Sequence, residues 1–377
     1  MTAAPDVVVV GGGPIGLASA WRAAQAGLDV TVCDPAPGSG AADVAAGMLA
    51  AVTEAWFGEE ALSALTAESA RRWPKFAAEV EAAAGSSVGF EEGGTLLVAH
   101  DVDDLAVVDR LLAYQHDLGL AVDRLRPQQL RELEPALSPQ VRGGALAGSD
   151  HRVDPRALCT ALLEACLIAG VQLQDDRVAR IDVEGDRATG VTLTAGGTIA
   201  TGAVVLAAGA WSAQIGGLPP DAAPPVRPVK GEVITLQVPP GSPPLLHRAV
   251  RGYVQGSTVY LVPRDDGRVV IGATAEERGF DATVTAGAMY QLLRDATILV
   301  PGIDELEVVE MRAGLRPGSP DNTPIVGWGA LDGLLVATGH YRNGILLTPL
   351  TADAVASLLT GGEPPAVMKA CDPGRFG

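Results

Sequence analysis

Residues 6–16, DVVVVGGGPIG, decide how the rest of the chain is read. Four valines stopped by glycines, with no polar residue alternating among them, suit a strand buried on both faces. The pattern G-x-G-x-x-G follows at Gly11, Gly13 and Gly16. There the first glycine permits a tight turn, the second lets backbone approach a pyrophosphate, and the third lets helix and strand pack closely. A helix from Ile15 to Ala26 then offers free N–H groups and its positive dipole end to phosphates. Glycine-rich turns are common, so the pattern alone is weak. Here it leads to a second strand over 29–34 that ends in Asp34, placed to accept hydrogen bonds from both ribose hydroxyls and to repel a 2′-phosphate. This βαβ opening predicts dinucleotide binding.

No second glycine fingerprint follows. VVLAAGAWS, residues 204–212, is an apolar strand ending in small residues. Small residues there suit either close passage of a dinucleotide or a crowded strand crossing. With one nucleotide site, the electrons are expected to come from an organic substrate and to leave to oxygen or another acceptor.

The totals narrow the class. A chain of 377 residues exceeds what one core usually serves, so two domains are expected. Hydrophobic residues at 47 % and charged ones at 19 % describe a core-rich globular chain. With 27 basic against 45 acidic residues the net charge is −18, which argues against nucleic-acid or anionic-membrane partners. The start MTAAPDVVVV has no basic segment followed by an apolar one, and no apolar run reaches the length of a membrane span. A cytoplasmic protein is expected. Cys33, Cys159, Cys166 and Cys371 show no redox or metal spacing, and Cys159 and Cys166 suit one buried helix face. None of the five histidines pairs at ligand spacing, so no metal is predicted.

Helical patterns recur over 60–84 (with a possible break at Pro74), 102–118 and 155–169. Strand patterns occupy 94–99, 187–194, 203–207, 232–238, 258–262 and 268–273. YLVPRDDGRVVIGAT, residues 260–274, is a hairpin by its Asp-Asp-Gly turn. Pro/Gly-rich stretches at 216–228 and 238–244 read as connections. A βαβ front and hairpin-forming strands in the middle imply two different sheets, with a return to the first domain at the end.

Several segments carry a resemblance. The front glycines with Asp34, AAGMLA at 45–50 and VVLAAGAWS resemble the FAD-dependent D-amino-acid oxidase superfamily. AAGMLA followed by Glu54, GFEEGGTLLVA (89–99), VYLVPRDDGRVVIGAT (259–274), AGLRPGSPDNTPIVG (313–327) and GHYRNGILLTP (339–349) resemble glycine oxidases of the thiamine-biosynthesis type, essentially end to end. The resemblance implies an α/β fold with a Rossmann-like FAD-binding domain of the glutathione-reductase-2 type, over 1–85, 141–215 and 306–377. A second α+β substrate domain on a mainly antiparallel sheet is expected over 86–140 and 216–305. It implies non-covalent FAD and oxidation of glycine, other small amines or D-amino acids to the imine and α-keto acid (glyoxylate from glycine). Ammonia and hydrogen peroxide are the other products, and oxygen is the co-substrate. A homo-oligomer, with a tetramer among the options, and hand-off of the imine to a thiazole synthase belong to the same expectation. A broader D-amino-acid oxidase or a sarcosine-type oxidase is the competing reading.

The resemblance also assigns roles. Arg316 matches a carboxylate-binding arginine; a guanidinium gives two parallel N–H bonds that lysine cannot. Without the resemblance, an arginine in Gly-Leu-Arg-Pro is more often a surface loop residue. Tyr260 matches a tyrosine reaching the substrate, Arg342 a second arginine at the site, and Met48 the residue passing the flavin ring. FAD contacts are implied at Gly11, Gly13, Pro14, Ile15, Gly16, Asp34, Pro35, Ala41, Ala42, Ala46, Gly47, Met48, Val178 and Gly209. His340, Tyr341, Arg342, Asn343, Gly344, Ile345 and Leu346 are expected along the ring, with the helix from Ile345 facing its N1–C2=O end. Arg316 and Tyr260 would hold the amino acid for direct hydride transfer to flavin N5, alignment supplying most of the catalysis without a general base. Two departures stand out: Ala41-Ala42-Asp43 lacks the usual hydroxyls before AAGM, and Asp34 stands where glutamate is more usual.

Overall fold

Val7–Val10 is the middle of a parallel sheet in a computed structural model that describes residues 4–376. Met1, Thr2 and Ala3, part of the start read for a targeting signal, lie outside the described residues. The strand order is Ile325–Trp328, Leu334–Thr338, Ala203–Leu206, Val7–Val10, Val30–Cys33 and Gln172–Gln174, all parallel except the first, which is antiparallel to its neighbour. The unbroken valine run has its physical reason here. Val7 and Val9 pack against the helices Pro14–Gln25, Glu60–Ala84, Pro155–Ile168 and Gly344–Leu359, while Val8 and Val10 pack against a three-stranded antiparallel sheet over 178–200.

The helix Glu60–Ala84 runs unbroken through Pro74. Proline removes one backbone bond at a cost of roughly 3 kcal/mol. The flanking Trp73 and Phe76 are fully buried, and their packing outweighs that loss. Cys159 and Cys166 share the same core, as one helix face requires, and burial pushes both thiols up to about 12.

The second sheet has eight strands, in the order 307–318, 227–237, 268–272, 257–263, 249–254, 95–99, 143–147 and 123–125. Only the contact between 249–254 and 95–99 is parallel. Two strands depart from the expected domain limits. Gly143–Ala147 pairs with Thr95–Ala99, and Glu307–Gly318 pairs along the whole of Arg227–Gln237, so both belong to this sheet and not to the parallel one. Backbone pairing between segments so distant in sequence leaves no local mark. Among the described residues, no helix is long and apolar enough to cross a membrane.

Strand 227–237 carries a buried ion pair on one face, Lys230 Nζ to Glu232 Oε1 at 2.7 Å, with both side chains 0 % exposed. Glu232 also accepts from Thr285 N and Oγ1, the residue that caps the helix Ala286–Leu299. Removing one partner of such a pair leaves a buried charge uncompensated, at about 3–5 kcal/mol, whereas replacing both by apolar groups is often near neutral. Glu232→Ala should therefore lower the urea midpoint by that equivalent, and Lys230→Met combined with Glu232→Leu should recover most of the loss.

Candidate active site

Alternation along the large sheet sorts its side chains. Val250, Leu261, Ile271 and Ile234 face a core shared with the helix Ala286–Leu299. Arg251, Tyr260, Gly272, Val233, Gly231 and Arg316 face the other way, into a cavity of about 510 Å³. That volume lies within the roughly 300–1,000 Å³ of small-molecule and cofactor sites. The cavity runs from the glycine loop at Gly11–Ile15 and Asp34 to the far end at Tyr260, Arg316, Arg251, Arg342 and Glu54.

At the near end the three glycines do different things. Gly11 has φ +108°, and a Cβ there would sit 2.5 Å from the Ala207 carbonyl oxygen. A Cβ on Gly16 would lie 1.9 Å from the Gly11 oxygen, so Gly16 sets the approach of helix to strand and does not line the cavity. Gly13 has no atom within 4 Å of that position; its backbone is bare toward the cavity at the start of a helix with Pro14 at its first position. The Asp34 carboxylate accepts from Gly12 N at 2.6 Å and Ala36 N at 2.8 Å, which fixes the loop while leaving lone pairs on both oxygens.

In the middle, Ala46, Met48, Val233 and Tyr260 form an apolar floor that packs into a cluster with Ala249, Val262 and Val270 behind it. The Ala45–Met48 segment is clamped from behind. Gly47, at φ +72°, passes within 2.0 Å (for a built Cβ) of the Val153 oxygen, and the buried Arg264 donates through Nη2 to the Ala46 carbonyl. Asp43 is turned away into ion pairs with Arg156 and Arg312. Ser39, just before Ala41 and Ala42, lines the cavity, and its hydroxyl donates to the Ala36 carbonyl at 2.6 Å.

At the far end two glycines make room for two functional groups. A Cβ on Gly231 would lie 2.3 Å from Arg316 Nη1, and one on Gly272 would lie 2.3 Å from the Tyr260 oxygen. Arg316 and Tyr260 thus lie flat over neighbouring strands. Arg316 Nη1 donates to the Thr274 carbonyl at 2.9 Å and more weakly to Lys230 at 3.4 Å, and among the described residues no carboxylate pairs with it. Burial pushes the Tyr260 phenol above its usual value, with the Arg316 guanidinium opposing, so the hydroxyl is a donor at neutral pH. His340, fully buried and bound through Nε2 to Thr351 Oγ1 at 3.0 Å, is pushed down to about 3 by desolvation and is neutral. Arg342 is exposed at the mouth, its guanidinium 4.8 Å from the Tyr341 ring centre.

Of the residues expected at the site, Gly16, Asn343 and Leu346 do not line the cavity. Asn343 is buried beside a small cleft next to Glu54, and its side chain does not cap the helix Gly344–Leu359. The Leu346 carbonyl is held in the core by Ser69 Oγ and Trp73 Nε1. All the others border it. The sequence reading passed over Arg251, which stands abreast of Tyr260 and pairs with Glu54. It also passed over Asp150, which accepts from Val52 N, Thr53 N and Thr53 Oγ1 and so anchors the turn carrying Glu54. Burial pushes the Asp150 carboxyl up to about 6 despite those three donors. Strand pairing brings Arg251 to the site, and no motif around it signals this.

The cavity fits a dinucleotide on its own evidence: bare backbone at Gly13 and Gly209, a helix N-terminus and carboxylate at one end, an apolar floor at the other. Gly13→Ala should leave apoprotein thermal unfolding unchanged while raising the FAD dissociation constant at least about tenfold, read by flavin fluorescence. Gly16→Ala should lower apoprotein stability by about 1–3 kcal/mol or more through the backbone clash.

Comparison with known proteins agrees. The family model described as FAD dependent oxidoreductase matches residues 6–358. The chain is 36 % identical over 369 residues to a glycine oxidase of Geobacillus kaustophilus, covering 96 % of this chain and 95 % of that one. It is 32 % identical to the bifunctional protein ThiO/ThiG of a Synechocystis strain, all of this chain aligning with 55 % of that protein. The crystal structure of the Geobacillus kaustophilus glycine oxidase superposes with a TM-score of 0.90 at 34 % identity, over 98 % of each chain. The chain belongs to the FAD dependent oxidoreductase family, as a glycine-oxidase-like enzyme.

Proposed function

We propose that this chain oxidises glycine, and other small amines or D-amino acids, to the imine. Water then gives the α-keto acid and ammonia, and oxygen is reduced to hydrogen peroxide. The observation that carries the reading is Arg316: a guanidinium facing a cavity over an apolar floor, with no carboxylate of the protein on it. It is a ready receptor for a substrate carboxylate, through the bidentate geometry that arginine favours. Tyr260 beside it donates a further hydrogen bond.

FAD, when bound, supplies the acceptor for the two electrons. Gly11, Gly13, Pro14, Ile15, Asp34, Pro35, Ala41, Ala42, Ala46, Gly47, Met48, Val178, Gly209, His340, Tyr341, Gly344 and Ile345 would hold it, and their place along the cavity supports this. Attachment is read as non-covalent, with no cysteine or histidine set in a linkage motif. Arg316 fixes the carboxylate and Tyr260 its orientation, while the floor around Met48 and Val233 excludes water. The substrate amine reacts in its neutral form, its proton having passed to solvent. Arginine and phenol thus prepare the substrate by placement and charge, and no histidine base is called on. The ThiO/ThiG relative, in which the counterpart of this chain is about half of the protein, supports a role in thiamine biosynthesis with the imine passed to a thiazole synthase.

A peroxide assay on the FAD-loaded protein with glycine, sarcosine, D-alanine and D-proline tests the reading, which fails if glycine yields no peroxide. Arg316→Ala should retain FAD while kcat/KM for glycine falls on the order of 100-fold, through KM, as loss of two charge-assisted bonds implies. An unchanged KM would remove Arg316 from the site.

A further inference from the structure

The far end of the cavity holds a second guanidinium, and it is already occupied. Arg251 is 8 % exposed and lines the cavity. Its Nη1 donates to Glu54 Oε1, while its Nε is buried without any partner. Its strand neighbours are Tyr260 on one side and the apolar Leu97 on the other, so Glu54 alone balances the charge. Glu54 does not belong to the sheet. It hangs from an irregular turn between Leu49 and Glu60, pinned at Val52 and Thr53 by Asp150, and its carboxylate reaches into the cavity. Arg316 and Arg251 are thus two anion receptors in one space, one open and one filled by a carboxylate of the protein itself.

We propose that Glu54 is a built-in stand-in for a second substrate carboxylate, and that it restricts this site to monocarboxylic amines. The inference rests on the reading of Arg316 as the receptor for the substrate carboxylate. Three strand spacings and a stagger of two residues, about 16 Å in all, separate the backbone of Arg251 from that of Gly231, over which the Arg316 guanidinium lies. Both guanidinium groups border the one cavity, and the gap between them is what a diacid would have to span. In the wild type a second carboxylate entering that gap meets the negative charge of Glu54 in place of the positive charge of Arg251. Specificity by such an occupied receptor is a repulsive device: it adds nothing to the binding of the correct substrate and rejects a competitor. Without Glu54, Arg251 becomes an uncompensated buried cation and recruits an anion.

Equilibrium binding to the FAD holoenzyme tests this without turnover, with dicarboxylates compared against monocarboxylates of equal chain length. Glutarate against pentanoate and succinate against butyrate are titrated by perturbation of the flavin absorption spectrum and by calorimetry. The wild type should prefer the monoacid in both pairs. Glu54→Ala should shift the diacid-to-monoacid affinity ratio at least tenfold toward the diacid. Glu54→Gln, which removes charge but keeps bulk, should shift it in the same direction by less. Adding Arg251→Gln to Glu54→Ala should abolish the gain. A ratio that stays within twofold of wild type in both single variants overturns the proposal, as does a gain that survives loss of Arg251 or a wild type that already prefers the diacid. Failure of the glycine assay leaves these ratios readable, so the two readings fail separately.

Discussion

The register between Arg227–Gln237 and Glu307–Gly318 is the constraint on which the rest of the site depends. Opposed residues of an antiparallel pair share a face, and a slip of one residue turns every side chain over. With Val229 opposite Arg316 and Gly231 opposite Gly314, the arginine falls on the cavity face beside a strand position that has no side chain. Shifted by one, the guanidinium would compete with Lys230 and Glu232 on the opposite face. The buried Lys230–Glu232 pair opposes that slip, because its charges can be satisfied on one side of the sheet only. Strand pairing, the buried salt link and the orientation of Arg316 are one structural fact seen at three levels.

Charge at the site runs against charge on the molecule. The chain carries −18, yet the reacting end of the cavity brings together Arg316, Arg251 and Arg342 with Glu54 as the one acid lining it. At about 0.15 M salt exposed charges are screened beyond roughly 8 Å, whereas groups buried in a cleft are screened much less. Net charge bears on which large partners approach; the local set decides what binds inside. The acidic total argues against nucleic acid and is still compatible with an anionic substrate.

How much could be read beforehand follows from the range of the interactions involved. The valine run, the glycine turn, Asp34 and the Asp-Asp-Gly hairpin are local, and each appears within a residue or two of the expected limits. Gly143–Ala147 and Glu307–Gly318 join the eight-stranded sheet although they lie inside the limits expected for the FAD-binding domain, because pairing partners some fifty and eighty residues away are not written in a segment's own periodicity. Arg251 was missed for the same reason: in the stretch AVRGYV it is an ordinary strand residue, and only the strand beside it sets it next to Tyr260. Arg316 and Tyr260 were found through resemblance and not through chemistry, since neither residue type is unusual in its setting.

The division of labour between sheet and loops bears on how such a site changes its substrate. Tyr260 and Arg251 stand on strands whose opposite face is a packed core, and Arg316 on an edge strand paired along the whole of Arg227–Gln237, so their positions are fixed by core and pairing. Glu54 and Arg342 come from an irregular turn and from the short helical turn before a helix, outside the strands that carry the other groups. The rigid part supplies what every amino-acid substrate shares, a carboxylate. The loop-borne part meets what differs, the substituents around the reacting carbon and nitrogen. A change of specificity can therefore pass through the turn held by Asp150 while the sheet beneath stays intact, which is how one fold comes to carry different chemistries at the same place.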